Sequence, residues 1–308
     1  MAEPPPEPAN PPTTSAPAAQ QSTTSRRPYT NIFAVPEPIR RLFKRFPLRT
    51  YPENGLPVRC AIAPKEVPVL FVFADDEAAR AGAPSFNPTC LKWQTLLKIS
   101  GIQFHIHPSN NHASPTGALP FLLTPSQTTI PASKLSLYVA THATTPASTT
   151  PPPRAETYLS LLDSALRPAY LYALYLSKSN APLLASLYLD SSLPRPVRAS
   201  ITHTLRTAAE EEILTSTRRQ ALDPPYIYAE AEAALVALRD VLEASETEWF
   251  FGEKETTVFD AAVFAYTNVL LDERLAWGDA RLTEVVRAFE ALVAHRERIL
   301  GRYWPELI

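Results

Sequence analysis

Glycine is scarce, with 7 residues in a chain of 308. Neither GxxxxGKS nor GxGxxG can be spelled, which excludes the glycine-rich loops that cradle nucleotide phosphates. Cysteine is scarcer: Cys60 and Cys90 alone exclude a disulfide framework and a thiolate zinc site. No run of 18 apolar residues occurs, so no membrane-spanning helix is expected. Net charge is -2, and the surplus of cations that marks nucleic-acid proteins is missing.

What is abundant is proline, 33 residues, about twice the usual ~5% share. Apolar residues make up 45%, enough for a globular core. The small net charge hides an asymmetry. Between Arg26 and Arg49 seven cations face Glu37 alone, a local +6 that leaves -8 for the rest. A basic stretch ahead of an acidic body suggests an element that docks on an anionic surface.

Residues 1–30 are Pro-, Ser- and Thr-rich with almost no large apolar side chains, and are expected to be disordered. A mitochondrial presequence is the alternative. Against it, the first cation is Arg26 and prolines interrupt any helix. A secretory signal would need an apolar core segment, which is missing. Residues 31–66 form a candidate docking segment. Within 36–47, Ile39, Leu42, Phe43 and Phe46 fall at i, i+3, i+4 and i+7, with Arg40, Arg41, Lys44 and Arg45 on the opposite face. Pro38 suits a first helical turn and Pro47 ends it. Such a helix packs on its own domain or docks to a membrane surface or partner.

The globular pattern starts at residue 67. VPVLFVFAD, 67–75, reads as a strand buried on both faces. TCLKWQTLLKIS, 89–100, has helical spacing with Gly101 as its stop. Residues 102–109 alternate apolar and polar, as a half-buried strand does. Short strands follow at 120–124 and 128–130, then a helix from Ser133. This order predicts a mixed sheet with helices on it over 67–142. Residues 143–153 read as a Pro/Ser/Thr linker. Residues 154–308 are helical almost throughout, with helices expected at 154–177, 182–189, 196–220, 226–244, 257–271 and 283–300. Thr257 and Asp260 have the spacing of a capping box. The segment after them is apolar on every side and belongs in the middle of a bundle.

A β-α-β-β-β-α half followed by an all-helical half resembles the glutathione transferases: a thioredoxin-like N-terminal domain with a mixed four-stranded sheet, then an all-α C-terminal domain. Leu119-Pro120 sits where that fold carries a cis-proline. Ala132-Ser133 sits where the family usually has Glu-Ser, and Thr257 to Asp260 matches its capping box. WFFGEKETTVFDAAVFAY (249–266) and CLKWQTLLKISGI (90–102) are similar to segments of the metaxins. SNNHASPTGALPFLL (109–123) and IFAVPEPIRRLFKRFPL (32–48) resemble the fungal metaxin-like chain without a membrane anchor in the mitochondrial sorting and assembly machinery.

That resemblance implies a non-enzymatic peripheral subunit on the cytosolic face of the mitochondrial outer membrane. Its implied partners are a β-barrel assembly subunit, a second metaxin-like subunit, β-barrel precursors read through their β-signal, and the membrane surface. No cofactor, metal or nucleic acid is implied. Strand addition or a groove would suit recognition of a β-signal.

The competing reading is a divergent glutathione transferase, and a third is a soluble scaffold with a degenerate transferase fold. In thiol-dependent relatives the first helix opens with Cys-Pro-x-Cys; here the residues are Asn87-Pro88-Thr89-Cys90. Asn87 forms no thiolate, and Cys90 reads as a small buried residue. Only the nearby helix N-terminus would favour a reactive Cys90. Ser85 reads as a cap rather than a thiolate-stabilising hydroxyl. Ala132 has no side-chain hydrogen-bonding capacity for a γ-glutamyl group, and Ser133 reads as a helix cap. His105, His107 and His112 are close in sequence, without a carboxylate or thiolate to complete a zinc set. AEEEI, 209–213, reads as a solvated helix face.

Overall fold

The computed structural model describes residues 66–145, 153–190 and 192–307. The expected tail, the docking helix at 36–47 and most of the Pro/Ser/Thr stretch lie outside the described residues.

The sheet has four strands: β1 Val69–Val72, β2 His105–Pro108, β3 Phe121–Leu123 and β4 Thr129–Pro131, in the order β2-β1-β3-β4. β1 pairs parallel with β2, placing Val69 opposite His105, and antiparallel with β3, placing Phe71 opposite Phe121. β3 and β4 are antiparallel. All four residues of β1 are buried, as an unbroken apolar run at the centre of a covered sheet requires. β2 is shorter than its alternating pattern predicts, because only His105 to Pro108 pair with β1.

Three helices belong to this half: α1 Asp76–Arg80, α2 Pro88–Ile99 and α3 Ala132–His142. α1 is not among the sequence expectations, although Asp75 caps it through Ala78 N at 2.7 Å. α2 ends at Ser100, and Gly101 follows at φ +68, the left-handed position that favours glycine after a helix.

The helical half begins with α4 Pro153–Leu161, a π-helical turn Leu162–Leu166, α5 Arg167–Leu171 and a second π-helical turn Tyr172–Leu176. Pro168 lacks the N–H that an α-helical ladder needs there, and the helix widens around it. α6 Ala181–Tyr188, α7 Arg195–Thr217, α8 Pro224–Glu243, α9 Val258–Leu271, α10 Arg281–Ala288 and α11 Glu290–Tyr303 complete it. The single helix expected over 283–300 is two. The chain is extended at Phe289, whose carbonyl accepts from Leu292 and Val293 and starts α11. No Gly or Pro marks this break in the sequence.

All fourteen residues of α9 are buried. Most pack in the helical core with Leu166, Leu235 and Trp304, while Val258 and Ala261 join the core under the sheet with Leu70 and Leu97. α9 therefore ties both layers together. Each Leu or Phe wholly buried there contributes about 1.5–3 kcal/mol. No described helix is long and apolar enough to cross a membrane.

Candidate functional site at the start of helix α2

Asn87 is the N-cap of α2, with extended backbone (φ -105, ψ 123) and Pro88 behind it. Its Oδ1 accepts from Thr89 N at 3.0 Å and Cys90 N at 3.2 Å. Its Nδ2 donates to Tyr188 Oη at 3.1 Å. An amide nitrogen carries two donor hydrogens; among the described residues the second has no acceptor.

The loop leading to Asn87 is pinned from behind. Gln94, wholly buried, donates to Ala83 O at 2.8 Å and accepts from Ser85 N at 2.9 Å. Ser85 Oγ donates to Phe73 O at 2.5 Å and accepts from Asn87 N at 3.2 Å. The Ser85 hydroxyl thus donates to a backbone carbonyl and holds the loop rather than a ligand. Sequence reasoning missed Gln94; a glutamine among the apolar positions of an otherwise buried helix face is the signal that could have found it.

Cys90 is wholly buried. Burial pushes its thiol up to about 12, outweighing hydrogen bonds to Phe73 and Ser85 that favour the thiolate. It is a packed thiol at neutral pH. The space in front of Asn87 is aromatic. Tyr188 meets Phe73 and Phe86 edge to face, at 5.2 and 5.5 Å between ring centroids. Burial raises the Tyr188 phenol well above its ordinary value, so it stays protonated.

The other sequence-predicted positions separate. The Leu119–Pro120 peptide is cis. Ser133 is not a cap, which corrects the sequence expectation: α3 starts at Ala132 because the strand runs through Pro131, and Pro131 is the capping residue. Proline offers no capping side chain, so the first-turn amides of α3 have no side-chain acceptor. Ser133 is exposed beside them. Thr257 and Asp260 form a reciprocal capping box at the start of α9. His105 is exposed, and His107 packs edge-on against Phe71 at 4.9 Å. His112 lies in a short 3-10 turn, Asn111–Ala113. No His/Cys/Asp/Glu group suited to a metal occurs among the described residues. Of the acidic run at 209–213, Glu212 is an ion-pair partner: Arg167 Nε donates to it at 2.7 Å.

Next to Asn87 lies a cavity of about 550 Å³ lined by α2, the continuous α4–α5 segment, α7 and α9. Thr89, Lys92 and Trp93 line it from α2, at i, i+3 and i+4. Leu159 and Leu162 face it from the α4 segment, Ala262 and Tyr266 from α9, and the Arg167–Glu212 pair closes one side. Arg167 Nη1 also donates to Thr89 Oγ1 at 3.3 Å.

Comparison with known proteins agrees with the fold. A model described as glutathione S-transferase N-terminal domain matches residues 88–180. A second, described as glutathione S-transferase, C-terminal domain, matches residues 231–299. Among solved structures, a glutathione S-transferase of Ceriporiopsis subvermispora in complex with glutathione is 15% identical. The match covers 77% of this chain and 97% of that one, with a TM-score of 0.51. The chain has a glutathione-transferase-like fold. The chain is also similar to β-etherase LigF from Sphingobium sp. strain SYK-6 (13% identity, 76% and 95% coverage, TM-score 0.49) and to glutathione transferase GSTFuA3 from Phanerochaete chrysosporium (14%, 74% and 97%, 0.46). No curated protein matches the chain. These matches correct the expectation that this glutathione-transferase-like chain is not an enzyme, because both family models describe glutathione S-transferase domains.

Proposed function

We propose that this protein is a divergent glutathione transferase that holds a thiol peptide at the start of α2 and presents its sulfur to an electrophile in the adjoining cavity. The observation that carries the reading is Asn87. Its oxygen caps the helix, and one of its amide hydrogens remains free to meet a sulfur anion. The positive end of a helix dipole and a directed N–H both favour thiolate over thiol, which lowers the pKa of the bound thiol. The uncapped amides at the start of α3, beside Ser133, suit a ligand carboxylate. Ala132 leaves the ligand's ammonium group to water.

Asn87→Asp tests this without disturbing the fold, since aspartate caps a helix as well as asparagine. It removes the N–H and sets a negative charge beside the sulfur. Retention on immobilised glutathione and turnover of 1-chloro-2,4-dinitrobenzene are expected for the wild type. A loss of about 10–100-fold in kcat/KM is expected for Asn87→Asp, the size of one charge-assisted hydrogen bond. A folded wild type with neither retention nor turnover overturns the reading.

A second reading concerns partners. The metaxin-like segment 249–266 and the basic window between Arg26 and Arg49 favour a peripheral role at the mitochondrial outer membrane, with a β-barrel assembly subunit, a second metaxin-like chain and β-barrel precursors as partners. Affinity purification of tagged protein from mitochondria in mild detergent tests it. Stoichiometric recovery of a barrel assembly subunit supports this role, and recovery of the chain alone from the soluble fraction removes it.

A further inference from the structure

The cavity beside Asn87 is built for more than apolar packing. Its walls include apolar surface from Leu159, Leu162 and Ala262, and the Trp93 indole. About 550 Å³ lies within the ~300–1,000 Å³ range of small-molecule sites. Two cations line it, and they differ in their commitments. Arg167 is bound to Glu212 and Thr89. Lys92 has no hydrogen-bonding partner among the described residues. Its Nζ lies 5.5 Å from the centroid of the Trp93 ring.

Lys92 is half-buried, and the cost of desolvating it outweighs the attraction of Asp163, lowering its ammonium pKa. Asp163 is itself exposed and solvated. A half-buried ammonium with unused donors gains most from a ligand anion that can reach it. A flat ring beside the indole would bring one there.

We propose that this four-helix cavity binds an aromatic carboxylate, its ring against Trp93 and its carboxylate on Lys92 Nζ. This deepens the transferase reading by naming the class of its second ligand. It rests on that reading only for what is done with the ligand.

The test therefore omits glutathione. Isothermal titration compares 2-naphthoate with 2-naphthalenemethanol, a neutral molecule of similar shape. The wild type is expected to bind the carboxylate at least about tenfold more tightly, the worth of one half-buried charge-assisted contact. Lys92→Met should bring the two ligands within about twofold, Lys92→Arg should restore the preference, and the distant Lys254→Met should leave it intact. Quenching of tryptophan fluorescence by naphthoate should be largely lost in Trp93→Phe. Equal affinity of the wild type for the two compounds, no binding of either, or a preference that survives Lys92→Met overturns the proposal. Naphthoate binding without glutathione turnover would remove the transferase reading and leave this site standing.

Discussion

Asn87 and Tyr188 are 101 residues apart in sequence and are joined by a 3.1 Å hydrogen bond from the asparagine Nδ2 to the tyrosine Oη. The bond ties the cap of the helix under the sheet to the end of a helix in the other half. It also takes one of the two donors that a bound sulfur would use. Tyr188→Phe keeps the ring and its contacts with Phe73 and Phe86 but releases that donor. The expected cost in stability is about 0.5–1.5 kcal/mol, the net worth of one such bond, read as a lower urea midpoint. Retention on immobilised glutathione should rise. Unchanged retention together with reduced stability would make this bond structural alone.

The thiol of Cys90 lies one helical turn from that site and takes no part in it. With its pKa pushed up to about 12 by burial, it carries almost no thiolate at pH 7–8. Thiolate is the form that reacts with disulfide reagents. In a Cys60→Ser background, Cys90 is expected to resist a disulfide reagent in native buffer and to react fully in denaturant. Turnover of an electrophile should survive Cys90→Ala. Rapid native labelling would show that the helix start opens far more readily than its packing implies.

The sequence carried the local part of this architecture and little of the site. The Thr257–Asp260 capping box and the Gly101 stop are decided within four residues, so spacing revealed them. The all-buried α9 was visible because no polar stripe breaks it. Ser133 was misread because the strand extends through Pro131 and the helix starts one residue earlier than its best capping side chain. The Phe289 break has no Gly or Pro to announce it. The approach of Tyr188 to Asn87, and of Lys92 to Leu159 and Ala262, depends on how helices distant in sequence pack. No periodicity encodes that.

Asp279 gives the fold an acid limit. Arg281 grips the carboxylate through Nε at 2.9 Å and Nη2 at 2.7 Å, while Tyr228 Oη and Ser177 Oγ donate at 3.0 and 3.1 Å. The Arg281 contact, partly opposed by burial and helped by the two hydroxyls, holds Asp279 at about 2, against an ordinary value of 3.8. A carboxylate depressed in the folded state stabilises above its unfolded pKa, and that stabilisation is lost as pH falls through the folded value. The window here is from about pH 4 to about pH 2. Because Arg281 is largely exposed, water screens the pair, and the contribution is about 1–2 kcal/mol. Urea midpoints should fall across that window in the wild type, and Asp279→Asn should flatten the fall. An unchanged pH profile in the variant would assign the acid sensitivity to other carboxylates.

The start of α9 is where a single substitution should cost most. Asp260 is wholly buried and fully engaged: Oδ2 accepts from Thr257 N at 2.8 Å and Thr257 Oγ1 at 2.7 Å. Its Oδ1 accepts from Phe250 N at 3.2 Å and lies 3.0 Å from His295 Nε2. His295 is equally buried, between Trp249 and Phe250. Asp260→Ala strands these donors away from water and is expected to cost about 3–5 kcal/mol, the range for breaking a buried polar network. Asp260→Asn should be nearly as damaging, because its amide must turn an N–H toward groups that also donate. Thr257→Ala should cost about 1–2 kcal/mol, as the loss of a cap does. Since the Thr257 hydroxyl and the Asp260 carboxylate share one of these bonds, the double variant should cost less than the two singles together, by at least about 0.5 kcal/mol. Chemical denaturation of the four proteins measures this. Strict additivity would mean that the two side chains stabilise α9 independently, and that the box does not act as a unit.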